Sequence, residues 1–107
     1  MSGTINVLLG EYVEEVSKIY EEYLKSVILY GSYARGDFRK DSDIDIMILV
    51  DMNDFKEWEA RIIDVTYDFN IEHDTEIMPI VQNIEHFNYW KGAYMFYRKI
   101  NEEGVDI

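Results

Sequence analysis

Apolar residues recur at three- and four-residue steps over residues 4–25: Leu9, Tyr12, Val13, Val16, Tyr20, Tyr23 and Leu24. That spacing predicts one face of an amphipathic helix. Glu11, Glu14, Glu15, Lys18, Glu21 and Glu22 supply its wet face. Val27, Ile28, Leu29 and Tyr30 follow as an apolar run of strand length, stopped by Gly31-Ser32. Residues 33–42 are polar, with Gly36 and Asp37 as turn formers. Residues 43–50 predict a second strand. Past Asp45 both of its faces are apolar, the mark of a central strand covered on each side.

Asp54, with Glu57 three positions on, reads as a capping box. The helix it opens is expected to run to about Asn70, with Phe55, Trp58, Ile62, Val65 and Phe69 inward. Residues 75–82 predict a third strand. Pro79 lacks an N–H, which assigns that strand to an edge or a bulge. A last helical region starts at Asn83 or Glu85, runs to about Glu103 and is closed by Gly104. The sum is an α/β (α+β) chain: a small mixed sheet of three to four strands flanked by helices, in one domain over residues 1–107.

Charge narrows the field. The 107 residues carry 22 acids against ten bases, a net charge of −12. Nonspecific nucleic-acid binding needs a basic footprint, so no direct nucleic-acid partner is expected. An anionic membrane surface is disfavoured for the same reason. The chain has no cysteine, which excludes disulfides, thiolate metal sites and cysteine nucleophiles. No apolar run approaches the ~20 residues of a membrane span, and residues 1–10 lack a signal-peptide pattern. The expected location is the cytoplasm.

The candidate chemistry lies between the first two strands. Asp43 and Asp45 are two apart, so on a strand they share a face just before the apolar core. Two acids so placed repel, and a cation between them relieves the repulsion. Carboxylate oxygens without a nearby His or Cys suit Mg²⁺ or Mn²⁺. Gly31-Ser32 ends the first strand where free N–H groups and a bare α-carbon make a seat for phosphate. Arg35, Arg39 and Lys40 follow at once, a local basic cluster suited to a triphosphate. Phosphate and cation meet if the first two strands are antiparallel. The helix after the second strand then returns the chain to a parallel third strand, which Glu76 enters near the same end.

Gly31-Ser32-Tyr33-Ala34-Arg35-Gly36-Asp37, followed by Asp41-Ser42-Asp43-Ile44-Asp45, resembles the signature of the polymerase-β-type nucleotidyltransferase superfamily. The similarity is greatest to the minimal nucleotidyltransferase group, and the tail from Phe96 to Val105 resembles it too. The resemblance implies the nucleotidyltransferase fold and transfer of a nucleoside monophosphate, with ATP as substrate and Mg²⁺ or Mn²⁺ as cofactor. By match to the motif, Asp43 and Asp45 would hold metal, and Gly31, Ser32, Arg35 and Ser42 would bind nucleotide. The family's third carboxylate is usually an aspartate; here Glu76 stands closest to its place. The resemblance further implies an antitoxin. Its partner would be a HEPN-domain ribonuclease, modified by AMP on a tyrosine.

Other readings of these residues differ in what they require. Asp41, Asp43 and Asp45 mimic an EF-hand opening, but Ile46 and Met52 stand where glycine and glutamate belong. His73 and His86 beside Asp74 and Glu85 read as surface histidines. The aromatics of residues 87–97 read as core beneath the sheet, with a few left for a partner. A non-catalytic alternative keeps the fold and neutralises a HEPN ribonuclease by contact alone. A small-molecule acceptor such as an aminoglycoside would need a pocket that a homo-oligomer builds.

Overall fold

The computed structural model describes residues 3–107. Residues 1 and 2, part of the stretch read for a signal-peptide pattern, lie outside the described residues. Helix α1 spans Gly3–Tyr20 and is followed by a 3-10 turn, Glu21–Tyr23. Strand β1 is Leu24–Tyr30, the short helix α2 is Ser32–Arg35, and strand β2 is Ile44–Val50. Helix α3 is Lys56–His73 and strand β3 is Ile77–Asn83. Helices α4, Ile84–Trp90, and α5, Met95–Glu103, lead into β4, Val105–Asp106.

The sheet order is β3-β2-β1-β4. β1 runs antiparallel to β2 and β4, and β2 runs parallel to β3. This is the mixed sheet expected from the pattern, with β2 central and Pro79 on the edge strand. β2 is buried on both faces because each carries its own apolar layer. Ile44, Ile46, Ile48 and Val50 pack with Leu9, Tyr12, Val16 and Tyr20 of α1 and with Ile62 and Phe69 of α3. Met47 and Leu49 pack on the other face with Phe87 of α4 and Ile100 of α5. Burying a side chain of this size contributes roughly 1.5–3 kcal/mol, so β2 is the energetic centre of the fold.

Several boundaries differ from the sequence expectation. The first helix stops at Tyr20, five residues short, because Glu21 takes a left-handed φ of 51°. The 3-10 turn keeps the three-residue spacing, so the apolar period runs on past the true helix end. Leu24 is the first residue of β1, opposite Val50. Asp43 precedes β2 rather than opening it. The Asp54–Glu57 capping box does not form: Phe55 is the N-cap, with no side-chain cap bond. α3 continues one turn past Asn70, to His73, and ends on Asp74 with a φ of 53°. Asn70 instead ties helix to strand: its side-chain oxygen accepts from Thr75 Oγ1 and Ile77 N, and its Nδ2 donates to Ile77 O.

The last helical region is two helices, separated by a turn at residues 91–94. Asn83 caps α4 by accepting from the His86 N–H at 2.9 Å. Gly104 ends α5 in an extended conformation, with a φ of −68°. It is glycine because of crowding: a Cβ there would overlap Ile100 O and Ile28 Cγ2. The chain then adds β4 along β1, a strand the sequence pattern hides in two residues.

Candidate active site

β1 and β2 meet head to tail, so the end of one lies beside the start of the other. Tyr30 is directly opposite Asp45. Gly31 follows with φ 76° and ψ −153°, a conformation essentially reserved for glycine. A Cβ on Gly31 would overlap Asp45 Oδ2 and lie 3.3 Å from Asp45 Cγ. The turn after β1 is therefore built flush against the Asp45 carboxylate. The Gly31 carbonyl accepts from Ala34 N at 3.1 Å and Arg35 N at 3.0 Å, which leaves the N–H groups at the start of α2 without carbonyl partners in the helix.

On the other side of β2, the Ile44 N–H donates to Glu76 O at 2.8 Å, and Asp45 pairs with Met78. This places Glu76 beside Asp43. The Asp45 carboxyl is pushed above the usual carboxylate range, first by burial and then by the Asp43 charge. Glu76 is also raised, because it shares a hydrogen bond with Asp43 and feels that charge as well as Asp41 and Asp74. Tyr30 is pushed up to about 12 by burial and by Asp45. Asp43, Asp45 and Glu76 thus form one electrostatic neighbourhood at the carboxylate end of the sheet.

A cleft of about 390 Å³ opens there. Gly31, Ser32, Arg35, Asp45 and Tyr30 form one side, and Phe96, Lys99, Ile100 and Glu103 of α5 form the other. The predicted basic cluster does not converge on it. Arg35 reaches the cleft, but its Nε donates to Asp37 and its Nη1 to Glu103, both at 3.3 Å. Lys40 and Ser42 line a neighbouring cleft with Tyr33, Asp41, Thr75 and Glu76. Ser42 Oγ accepts from the Arg39 N–H at 2.7 Å and so closes the loop before β2. The α5 wall is what sequence reading missed. The signal was the three-four spacing of Phe96, Lys99, Ile100 and Glu103, which mixes apolar and charged residues on one face.

The donor set suits a hard divalent cation. Asp45 lines the cleft and feels the charge of Asp43, which stands just outside its lining, while Glu76 lines the neighbouring cleft; no sulfur or imidazole lines either. Among the described residues, no group of three or more His or acidic side chains is placed to hold a metal ion. Mg²⁺ ordinarily binds through one or two carboxylates, completed by substrate phosphates and water.

The other predicted features are structural. His73 packs on Phe69 with ring centroids 4.2 Å apart and faces Glu11 at 3.7 Å. His86 lies edge-on to Tyr97. Of the aromatics expected beneath the sheet, Phe87 is buried, while Tyr89, Tyr94 and Phe96 are exposed.

Comparison with known proteins agrees with this geometry. Residues 9–105 match the nucleotidyltransferase domain family. A Methanocaldococcus jannaschii protein named "putative protein adenylyltransferase MJ0604" is 38% identical over 96 residues, 90% of each chain. Another from that organism, "putative protein adenylyltransferase MJ0141", is 39% identical over 75 residues, 69% of this chain and 75% of its own. Among solved structures, a protein named "putative minimal nucleotidyltransferase" superposes with a TM-score of 0.62 at 16% identity, covering 95% of this chain and 94% of its own. A toxin–antitoxin structure with AMP-PNP gives a TM-score of 0.56 at 17% identity, over 90% of this chain and 69% of that one. The chain belongs to the nucleotidyltransferase domain family, and as an enzyme it is a nucleotidyltransferase. No helix among the described residues is long and apolar enough to cross a membrane.

Proposed function

We propose that this chain transfers AMP from ATP to a hydroxyl of a partner protein, and that it acts as the antitoxin of a pair whose toxin is a HEPN-domain ribonuclease. The observation that carries the chemistry is the packing of Gly31 on the Asp45 carboxylate, which sets a phosphate seat and a cation-holding acid side by side. Asp43 and Asp45 would hold Mg²⁺, with Glu76 next to them, and Gly31 and Ser32 would seat the phosphates. The bound ion supplies Lewis-acid stabilisation of the charge that develops on the phosphate oxygens. The acceptor oxygen bonds to the α-phosphorus as the bond to pyrophosphate breaks. The hydroxyl proton passes to a neighbouring carboxylate.

The acceptor comes from another chain in this reading. The cleft is walled by α2 and α5, and its volume suits one nucleotide rather than a nucleotide with a second substrate. The relatives named as protein adenylyltransferases support a protein acceptor. The toxin–antitoxin structures support the pairing. A tyrosine is the acceptor side chain proposed.

The position of Glu76 beside Asp43, a glutamate where the family usually has an aspartate, favours a second reading. If the longer side chain leaves the cation misplaced, the chain would neutralise its partner by contact alone. One experiment separates the two. The chain, ATP, Mg²⁺ and the adjacent gene's product are mixed, and the partner is weighed by intact mass. An added adenylyl group that disappears with Asp43→Asn/Asp45→Asn supports transfer. Tight binding with no mass change supports contact alone.

A further inference from the structure

One face of α5 looks into the cleft. Phe96, Lys99, Ile100 and Glu103 are spaced three, one and three apart, which aligns them on a helix. Three contacts fix that face in place. Ile100 is buried with Met47, Leu49 and Phe87. The Phe96 ring meets Tyr30 edge-on, with centroids 5.8 Å apart. Glu103 accepts from Arg35 at 3.3 Å, which joins α5 to α2. Lys99 is therefore carried on a fixed support, lining the same cleft as Gly31, Ser32 and Asp45.

The charges lining the cleft are balanced. Its lining carries two acids, Asp45 and Glu103, and two bases, Arg35 and Lys99. Arg35 faces Asp37 and Glu103 at 3.3 Å in solvent-exposed pairs that a phosphate can compete for. Lys99 makes no ion pair among the described residues. A polyphosphate brings more negative charge than a cation at Asp43 and Asp45 neutralises. The charge beyond the reacting phosphate needs a basic group on this wall. A lysine suits that task as a mobile point charge.

We propose that Lys99 is the cation that holds the β- and γ-phosphates of the nucleoside triphosphate, so the specificity of this site for a triphosphate over a monophosphate resides in α5. The proposal deepens the nucleotidyl-transfer reading and rests on it. The sequence points to the loop of Arg35, Arg39 and Lys40; of these Arg35 lines the cleft, and Lys99 joins it from a helix more than fifty residues after that loop.

The test is calorimetric titration of ATP and of AMP, with Mg²⁺, into the intact chain. Lys99→Gln is expected to weaken ATP binding by about ten- to a hundredfold, the usual loss for a charged hydrogen bond. AMP affinity stays at the wild-type value, Lys99→Arg recovers most of the ATP affinity, and Lys99→Glu weakens it further. Lys99 is exposed, so melting temperatures stay within a degree or two of wild type, about the range of a surface substitution. A Lys99→Gln chain that binds ATP like wild type overturns the proposal. So does one that loses ATP and AMP equally, because the lysine then only supports the helix. If wild type binds ATP and labels its partner while Lys99→Gln does the same unimpaired, only this assignment falls. If wild type binds no ATP, the transfer reading falls with it.

Discussion

The α-carbon of Gly31 is pressed against the carboxylate of Asp45, with no room for a side chain between them. Gly31 follows Tyr30, the last residue of β1, and Tyr30 is opposite Asp45, the second residue of β2, so the register brings Gly31 and Asp45 together. Gly31→Ala meets two penalties. Its φ of 76° and ψ of −153° strain any L-residue by about 1–3 kcal/mol, and its Cβ displaces the Asp45 side chain. Chemical denaturation should show a stability loss of that size. Nucleotide binding should fall more than stability does, because the substitution moves the acid and crowds the phosphate seat together. Gly10→Ala, inside α1, where a Cβ meets nothing within 4 Å, is the comparison without steric conflict and should stabilise by about 0.5–1 kcal/mol.

Asp45 gives the site a pH signature. Burial, then the Asp43 charge, raises its carboxyl in the folded chain. A raised folded-state pKa means the fold binds that proton more tightly than the unfolded chain does. The associated stability is fully present below the unfolded value of about 4, and is lost as pH rises through the folded value. At pH 7 the ionised Asp45 is therefore a cost to the fold. Asp45→Asn should melt higher than wild type at pH 7 and show little difference near pH 3.5, about where both forms are protonated. Added Mg²⁺ should raise the wild-type melting temperature at pH 7 and leave that of Asp45→Asn/Asp43→Asn unchanged. Thermal melts at both pH values, with and without Mg²⁺, check all three outcomes.

The same residues explain how far the sequence could be read. β2 was legible because an uninterrupted run from Ile46 to Val50 has one meaning for a short central strand. The parallel β3 was legible through Pro79, which only an edge accommodates easily. Asp43, Asp45 and Gly31 were legible as site candidates because their spacing places acids and turn at one end of the sheet. The end of α1 was not, since a 3-10 turn preserves the apolar period. β4 was not, since two residues carry no period at all. Lys99 was hidden for a different reason: its role comes from a long-range pairing of α5 with α2, and Arg35 bound to Glu103 has no local sequence signal.

Gly104 is where that long-range arrangement depends on a single atom. Its N–H donates to Ile100 O at 2.8 Å, and a Cβ would overlap both that carbonyl and Ile28 Cγ2. Gly104→Ala must push the end of α5 off β1, and β4 with it. The expected loss is about 1–3 kcal/mol, the usual cost of overpacking. Hydrogen exchange should speed at Ile107, whose N–H donates to Val27 O, before it speeds in β2. ATP binding should weaken as well, because α5 carries the far wall of the cleft.

Two buried tyrosines make opposite predictions. Tyr12 Oη and Thr66 Oγ1 share a 2.6 Å hydrogen bond between α1 and α3. Tyr20 Oη is buried with no hydrogen-bond partner among the described residues. Tyr12→Phe leaves the Thr66 hydroxyl without its partner and should cost about 1–2 kcal/mol. Tyr20→Phe removes an unsatisfied hydroxyl, keeps the ring against Trp58, and should be neutral or stabilising by up to about 1 kcal/mol. Both phenols are pushed up to about 12, chiefly by burial. The unfolded chain therefore ionises first, and wild type loses stability as pH climbs from about 10 towards 12. Either phenylalanine variant should lose less over that window. Urea titrations at pH 7 and pH 11 read the sign of each substitution and its pH dependence in one series.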